Sequence, residues 1–428
     1  MIGSLHPDTK DVTVVGAGIS GLLSAYYLDR AGYTVRLIEG SDTVGGLIGT
    51  VSTPYGIAER AANSILVSEA VQDLCTDLKI PLRGVQENAR SRYIWRKRRC
   101  RRMPLSLFEL AGMLRRVLFR KGLPPDDSRT FEEWGLHHLG YAGVKYLLTP
   151  FLLGIYGARP SEISVSAAFP FLNAGEDETL YGVMKRRKRE RVRAGGEAPV
   201  MQAPRDGMST LIDALEKHLK KRLGDRFEVG KPVARLPESG AFWLSTPAPV
   251  TAGLIEGLDS EGAAALRSVA YAPMISVTVF VTLRELSRFD PGVGVLIPPS
   301  EGRRCLGVLF PSSSFTHRVT KGRFASFTMM MGGTIEPDIL NQDDAAIRTR
   351  VVEELVELFG YSGDPLHMEI FRWPRAIPLY SPELMDTWKT LQRGWCSQPD
   401  RVVMGNYTGE VSIRGMIETL DEAFPKPY

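Results

Sequence analysis

The chain has 428 residues, with 53 lysines and arginines against 49 aspartates and glutamates, which gives a formal net charge of +4. This length exceeds what one hydrophobic core usually serves, so roughly two or three domains are expected. The four cysteines are scattered without metal spacing and no run of about 18 apolar residues occurs, which argues against a disulfide framework, a metal site and a membrane-spanning helix.

The first predicted elements are a strand, a glycine-rich turn and a helix, which open the stretch VTVVGAGISGLLSAYYLDRAGYTVRLIE at residues 12–39. Gly16 permits the tight turn out of the strand, and Gly18 lets the backbone approach a pyrophosphate. Gly21 allows the helix to pack closely on the strand. The N–H groups and the positive dipole end of this helix would bind the phosphates. The stretch therefore predicts a site for an adenine dinucleotide.

Two further features extend this predicted site. Glu39 ends the second strand, where an acid accepts hydrogen bonds from a ribose diol and disfavours a 2′-phosphate. The following loop contains Gly45 and Gly46, which suit a second close approach of the backbone to the dinucleotide.

Later elements alternate between helices and strands. Apolar periodicity and capping residues predict helices at Ser68–Leu78, Thr130–Leu139, Met208–Leu223, Asp344–Phe359 and Ser412–Ala423. Strands are predicted at 241–246, at four runs between 272 and 333, which favour a largely antiparallel sheet, and at 401–407. The Gly195-Gly196 pair predicts a flexible link.

Positive charge is concentrated in two stretches. Residues 90–121 contain twelve basic side chains against one acidic one, and residues 185–193 contain seven against one. Such local concentration usually indicates an acidic partner. Three partners are compatible with it: an anionic membrane surface, a substrate steered toward its site, or nucleic acid. No nucleic-acid-binding motif accompanies the charge, so nucleic acid is not expected.

These patterns predict an α/β protein with three parts. Residues 1–86, 200–252 and 390–428 would form a discontinuous Rossmann-like cofactor domain. Residues 87–199 would form a mostly helical, basic, membrane-binding region, and residues 253–389 a substrate domain with a mixed or antiparallel sheet.

Five segments, in this order along the chain, resemble the oxygen-dependent protoporphyrinogen oxidases within the amine oxidase-like FAD flavoproteins. They are PFLLGIYGARPSEISVSAAFP, GVGVLIPPSEGRRCLGVLFPSSSF, MMMGG, WPRAIPLY and GNYTGEVSIRGMIE. The resemblance covers nearly the whole chain. It implies FAD as the cofactor, a porphyrinogen as the substrate and oxygen as the electron acceptor.

The resemblance also implies roles for individual residues. Arg92 stands where the family has an arginine that pairs with a substrate propionate, which a guanidinium binds bidentately. Gly154 matches a glycine whose carbonyl faces the pyrrole N–H groups. Trp373 matches a position beside the flavin.

The C-terminal helix is expected to act on the flavin electrostatically. Its N-terminal dipole would stabilise negative charge at the N1–C2=O edge of the reduced flavin. No acid–base residue is needed, because the chemistry is hydride transfer to the flavin. Besides Gly16, Gly18, Gly21 and Glu39, the predicted cofactor-binding residues are Ile19, Ser20, Gly45, Gly46, Val233, Trp373, Val411, Ser412 and Ile413.

The expected activity is oxidation of protoporphyrinogen IX to protoporphyrin IX in haem biosynthesis. Three alternatives stay open: oxidation of coproporphyrinogen III, an amine oxidase, and a flavin-bound membrane adaptor without catalysis. The chain departs from the family at Ala61-Ala62, where the family has Gly-Pro, in a shortened segment at 229–246, and at Leu379, where the family has glutamine.

Family members attach to membranes without spanning them. Residues 104–119 combine an apolar helical pattern with arginines, which favours a helix at the headgroup boundary. A cytoplasmic protein, peripheral on the inner face of the membrane, is therefore expected, and a homodimer is left open.

Overall fold

The computed structural model describes residues 2–173, 176–193 and 198–426, and two large sheets organise these ranges. The predicted link at Gly195-Gly196 lies outside the described residues. The strands are β1 (Asp11–Val15), β2 (Thr34–Ile38), β3 (Thr50–Thr53), β4 (Gly56–Glu59), β5 (Ile65–Val67), β6 (Leu82–Gly84), β7 (Arg92–Arg96), β8 (Arg99–Arg101), β9 (Val200–Pro204), β10 (Phe227–Glu228), β11 (Ala241–Leu244), β12 (Tyr271–Thr282), β13 (Gly294–Leu296), β14 (Gly307–Leu309), β15 (Phe324–Gly332), β16 (His367–Pro378) and β17 (Arg401–Val403).

The helices begin close to where capping residues predict them. Thr130 and Ser412 each cap a helix through the side-chain oxygen, which accepts from the backbone N–H three residues on. The helices are α1 (Ile19–Arg30), α2 (Glu69–Asp77), α3 (Leu107–Phe119), α4 (Phe131–His138), α5 (Gly140–Gly143), α6 (Thr149–Tyr156), α7 (Val165–Ala168), α8 (Leu180–Arg193), α9 (Ser209–Leu223), α10 (Ala248–Ile255), α11 (Ser260–Arg267), α12 (Pro311–Ser314), α13 (Asp344–Phe359), α14 (Pro382–Arg393) and α15 (Ile413–Ala423).

The first large sheet is parallel, with strand order β10-β2-β1-β11-β17. Its central strands are short apolar runs because both faces are covered, as parallel sheets require. Helices α1, α2, α9 and α15 share one apolar cluster with one face, and α10, α11 and α14 share another with the opposite face. The predicted boundaries at 252/253 and 389/390 fall inside α10 and α14, since these helices cover the parallel sheet.

The second large sheet has the order β16-β12-β15-β14-β13-β7-β8 and is mixed, because β13 and β7 pair in parallel while the other pairs are antiparallel. The helical prediction for residues 87–199 is therefore wrong at its start, where β7 and β8 join this sheet. Tyr93 and Trp95 are buried in its core and alternate with the less buried residues Arg92, Ile94 and Arg96. The run of arginines hides this period-two pattern in the sequence.

Helices α3 to α8 carry most of the remainder of residues 87–199. Among the described residues, no helix is both long and apolar enough to cross a bilayer.

Candidate active site

Four parallel strands end at one edge of the first sheet, at Ile38, Val15, Leu244 and Val403. The strand order reverses between β1 and β11, and ligands of open α/β sheets bind outside the carboxyl ends at such a switch point. The loops that follow these four strands contain most of the predicted cofactor-binding residues. The topology therefore places the cofactor site at this edge.

The first glycine turn is tightly packed at the switch point. Gly16 has φ +96°, and a Cβ built there would lie 2.7 Å from the carbonyl oxygen of Ser245. A Cβ on Gly21 would lie 1.8 Å from the carbonyl oxygen of Gly16. Gly21 therefore lets α1 approach the turn, as the sequence predicts.

Gly18, unlike Gly16 and Gly21, has open space where a side chain would lie. It is the N-cap of α1 and has no side-chain capping bond, and a Cβ built there would have no described atom within 4 Å. Ile19 and Ser20 follow as the first residues of the helix. The N-terminus of α1 thus opens toward free space, where its unpaired N–H groups fit a pyrophosphate.

The second glycine loop lies against the first. The Gly45 N–H donates to the carbonyl of Ala17 at 2.8 Å, and Gly45 forms a parallel bridge with Gly18. A Cβ on Gly46 would lie 3.3 Å from the Cα of Gly18. Backbone from both loops therefore lines one side of the space in front of α1.

Glu39 points at the glycine turn. Its Oε2 accepts from the Ala17 N–H at 2.5 Å, and its Oε1 accepts from the Ser41 N–H at 2.9 Å. The carboxylate is held at the tip of β2, where a ribose diol would reach it. Contact with the ribose stays a prediction.

The residues just before Val233 contact Glu39 and Gly40. The Lys231 N–H donates to the Glu39 carbonyl at 2.9 Å, and a Cβ on Gly40 would lie 3.4 Å from the Cα of Pro232. The segment that contains Val233 therefore passes over the end of β2, beside the predicted ribose position.

The C-terminal segment enters the same edge after β17. Val411 packs against the cluster beneath α10, and Ile413 packs against the cluster beneath α1. Ser412 Oγ accepts from the Gly415 N–H at 3.0 Å and so begins α15, which contacts α1. Its position at the switch-point edge is compatible with a flavin there, although its contact with the ring stays a prediction.

The second sheet turns one face toward this edge. On β7, Tyr93 and Trp95 enter the core, so Arg92 lies on the opposite face, where its side chain is exposed. On β16, Trp373 pairs in register with Met274, which also lies outside that core. Arg92 and Trp373 therefore share a face, with the strands β12, β15, β14 and β13 between them.

Helix α6 lies over this face. A Cβ on Gly154 would lie 2.8 Å from Cδ2 of Leu296 on β13, the strand that pairs with β7. Gly154 is in the last turn of α6, where carbonyl groups lack partners within the helix. The structure thus brings Gly154 and Arg92 to neighbouring parts of one surface, and contact of the Gly154 carbonyl with a ligand stays a prediction.

A buried ion pair joins the β3–β4 hairpin to the segment just before β15 of the second sheet, and sequence reasoning missed it. Glu59, at the end of β4, pairs with Arg318, and their side chains are 2% and 1% exposed. Glu59 also accepts from the Thr50 hydroxyl at 2.6 Å and the Met208 N–H at 2.9 Å. Burial raises the pKa of Glu59, and Arg318 counteracts that rise. No sequence pattern marks the pair, because the partners are 259 positions apart.

The segment after Glu59 makes further contacts with the second sheet. Arg318 donates to the carbonyl of Asn63 at 2.9 Å, and the Thr328 hydroxyl donates to Oδ1 of Asn63 at 3.3 Å. The indole Nε1 of Trp373 donates to the carbonyl of Arg60 at 2.9 Å. Trp373 therefore lies where the second sheet meets the segment from the glycine loops.

The family departure at Ala61-Ala62 is accommodated without strain. Neither alanine is among the described residues with positive φ. The carbonyl of Ala61 accepts from the Asn63 side chain at 3.2 Å. Alanine therefore fits the backbone conformation at this corner.

The geometry defines a class of protein. The open N-terminus of α1, the two glycine loops and the acid on β2 fit an adenine dinucleotide, and a second sheet faces the edge where the reactive half of that cofactor would lie. The class is that of dinucleotide-dependent oxidoreductases with a separate substrate sheet.

Comparison with known proteins specifies the class further. Residues 19–243 match the model of the flavin-containing amine oxidoreductases, so the chain belongs to that family. It is an FAD-dependent oxidoreductase, and the FAD is the dinucleotide that fits the glycine loops.

Named relatives extend over almost the whole chain. It is 26% identical to the chloroplastic protoporphyrinogen oxidase of Nicotiana tabacum, covering 95% of this chain and 83% of that protein. It is 25% identical to the coproporphyrinogen III oxidase of Mycobacterium bovis, covering 94% of each. A solved structure from Exiguobacterium sp. 255-15, provisionally described as a protoporphyrinogen oxidase, matches with a TM-score of 0.75 at 17% identity, covering 98% of this chain and 100% of that one. At that identity the likeness of the structures shows the fold alone.

Proposed function

We propose that the protein oxidises a porphyrinogen to the porphyrin in haem biosynthesis, with protoporphyrinogen IX as the substrate and oxygen as the final electron acceptor. The observation that carries this proposal is the sheet face shared by Arg92 and Trp373, over which α6 places Gly154. The names of the relatives support the same substrate class. Bound FAD supplies the hydride acceptor, which oxygen then reoxidises with release of hydrogen peroxide.

The protein's own residues bind and orient the substrate. Arg92 pairs with a propionate, which fixes one edge of the macrocycle. The Gly154 carbonyl accepts a hydrogen bond from a pyrrole N–H. Leu153, Met274 and Leu306 form a buried apolar cluster that packs α6 against the second sheet and so fixes the position of Gly154. Holding the substrate in a fixed orientation can remove a large part of the activation barrier.

Steady-state oxidation in air tests the proposal and its rivals. Protoporphyrinogen IX, coproporphyrinogen III and benzylamine are supplied in turn, and porphyrin fluorescence and peroxide are followed. We expect turnover of porphyrinogen, with the larger kcat/KM for protoporphyrinogen IX. A larger kcat/KM for coproporphyrinogen III would identify that porphyrinogen as the substrate instead. Turnover of benzylamine alone would indicate an amine oxidase, and no turnover with FAD bound would indicate the non-catalytic adaptor.

Arg92→Gln is expected to weaken porphyrinogen binding by about 10- to 100-fold, because one charge-assisted hydrogen-bonded pair is lost. FAD content should not change, because Arg92 lies on the second sheet. The measurement is KM for porphyrinogen beside the flavin absorbance per chain. Arg99→Gln is the matched control, since Arg99 is an exposed arginine on the neighbouring strand β8. Equal loss of flavin and of binding would contradict the role of Arg92.

We also propose peripheral attachment to a membrane through α3. No residue of α3 is buried, and Leu107 and Phe108 are 85% and 92% exposed. Exposed apolar patches of this kind are unusual in soluble monomers and mark interaction surfaces. Other exposed apolar side chains in this part of the chain are Met103, Leu114, Leu118, Phe119, Leu136, Tyr141, Phe151, Ile155, Tyr181 and Met184.

Only part of the basic charge near α3 is free to meet lipid. Arg96 makes a bidentate pair with Glu109, with N–O distances of 2.7 and 2.9 Å, which lowers the pKa of Glu109 to about 2. Arg98 pairs with Glu357 at 3.0 Å. The Arg116 guanidinium donates to backbone carbonyls in the last turn of α4. These arginines hold the region together, and apolar side chains are therefore expected to provide much of its membrane affinity.

Replacing Leu107 and Phe108 together by serine should reduce partitioning to anionic vesicles by at least about 100-fold, since burying each side chain contributes roughly 1.5–3 kcal/mol. Folding should be unaffected because both side chains are solvated. Leu258→Ser, at an exposed leucine after α10, is the matched control. Vesicle sedimentation gives the measurement. Unchanged partitioning would exclude α3 as the anchor.

A further inference from the structure

Arg60 is a half-buried cation without a carboxylate partner in the described part of the chain. Its guanidinium carbon lies 5.1 Å from the centre of the Trp373 ring. The adjacent carboxylate, Glu59, is already engaged by Arg318, Thr50 and Met208. Partial burial of a guanidinium without a counter-charge is unfavourable, so an anion beside Arg60 would stabilise it.

Arg60 packs against the end of the second glycine loop. Its N–H donates to the carbonyl of Gly49 at 2.8 Å, where the second glycine loop leads into β3. A Cβ on Gly49 would lie only 2.5 Å from Cδ and 3.4 Å from Nη1 of Arg60. The arginine side chain therefore occupies the volume that a side chain at position 49 would take, and the glycine makes room for it.

A path of contacts runs from the pyrophosphate position to Arg60. Gly18 at the N-terminus of α1 contacts Gly46, and three residues later Gly49 lies under the Arg60 side chain. Trp373 of the second sheet closes this path on the other side. The guanidinium consequently lies between the glycine loops and the sheet that would face the reacting ring.

We propose that Arg60 contacts the bound FAD and that its guanidinium balances negative charge of the cofactor. Gly49 is a positioning residue whose missing side chain allows this contact. The anionic partner is either the pyrophosphate or the N1–C2=O edge of the isoalloxazine, which becomes negative when the ring is reduced. Both partners attract a fixed cation in a partly desolvated site.

Two binding constants of the purified protein test the proposal without any organic substrate. One is the dissociation constant of FAD from the apoprotein. The other is that of sulfite from the holoenzyme, because sulfite bonds to flavin N5 and its electron pair leaves negative charge at N1–C2=O. Neither constant depends on porphyrinogen turnover, so failure of this inference is distinguishable from failure of the proposed function.

Arg60→Gln is expected to raise at least one of the two constants by about 10- to 100-fold, the scale of a hydrogen bond to a charged group. A rise in the FAD constant alone identifies the pyrophosphate as the partner, and a rise in the sulfite constant identifies the ring. Arg60→Lys should retain part of the effect of the native residue. Arg267→Gln, at an exposed arginine of α11, should change neither constant. If Arg60→Gln leaves both constants unchanged, the proposal is wrong.

Gly49→Ala tests separately whether the missing side chain at Gly49 lets Arg60 reach the FAD. The added methyl group should displace the Arg60 side chain and reproduce the shift of Arg60→Gln. The two substitutions combined should have no more effect than Arg60→Gln alone, because they remove the same contact. Full additivity in the double variant would overturn the role assigned to Gly49. Thermal unfolding of each variant checks that the fold is retained.

Discussion

Gly21→Ala is expected to reduce bound FAD to less than about a tenth per chain and to destabilise the fold by roughly 2 kcal/mol or more. The physical reason is the separation of 1.8 Å between an added Cβ and the carbonyl oxygen of Gly16. Relief requires α1 to move away from β1, which also displaces the N–H groups that face the pyrophosphate. Flavin absorbance per chain and denaturant unfolding measure the two effects.

Two further glycine variants separate folding from cofactor binding. Gly18→Val adds a side chain where no described atom lies within 4 Å, so the apoprotein should unfold at the same denaturant concentration as the native one. It should nevertheless lose FAD, because the side chain enters the proposed pyrophosphate space. Gly112→Ala, on the exposed side of α3, should leave FAD binding unchanged and stabilise the fold by up to about 1 kcal/mol, because alanine favours a helix interior over glycine. Normal FAD binding by Gly18→Val would contradict the location of the cofactor.

Arg318→Met is expected to lower the free energy of unfolding by about 3–5 kcal/mol, the usual cost of leaving one member of a buried ion pair without its partner. Glu59 would then be a buried carboxylate with only the Thr50 hydroxyl and the Met208 N–H as donors. The contact from Arg318 to the Asn63 carbonyl would be lost as well. Urea unfolding of native and variant protein gives the measurement.

The double variant Glu59→Gln/Arg318→Met provides the test of cause. With the charge of Glu59 also removed, a substantial part of the lost stability should return. Arg36→Met, which breaks the exposed pair with Glu228, should cost no more than about 1 kcal/mol. If the double variant is no more stable than Arg318→Met, the uncompensated charge of Glu59 does not cause the loss of stability in Arg318→Met.

Local patterns predicted the turns and helix ends at the edge proposed for the cofactor. Gly16 and Gly21 meet backbone atoms where the turn requires it, and Ser412 begins the last helix. The helix Asp344–Phe359 has the predicted bounds. These features depend on neighbours within a few residues or on a strand–turn–helix unit, whose geometry the chain specifies locally.

Features that depend on distant pairing could not be read from the sequence. The strand β7 was hidden in a run of arginines, and its place in the sheet depends on pairing with β13, about two hundred positions later. The same holds for Glu59 and Arg318, and for the packing of Arg60 over Gly49. Burial of a charged side chain is decided by tertiary contacts, which residue type and local spacing do not reveal.

Anaerobic mixing of the holoenzyme with protoporphyrinogen IX tests the central claim most directly. We expect the absorbance of oxidised flavin to disappear as one hydride reaches each FAD, and admitting air to restore it with release of hydrogen peroxide; porphyrin fluorescence should develop only then, because complete oxidation of the macrocycle takes three two-electron steps. In Arg92→Gln the same bleaching should require about 10- to 100-fold more porphyrinogen. Flavin that stays oxidised with saturating porphyrinogen, in protein with a full complement of FAD, would contradict the account.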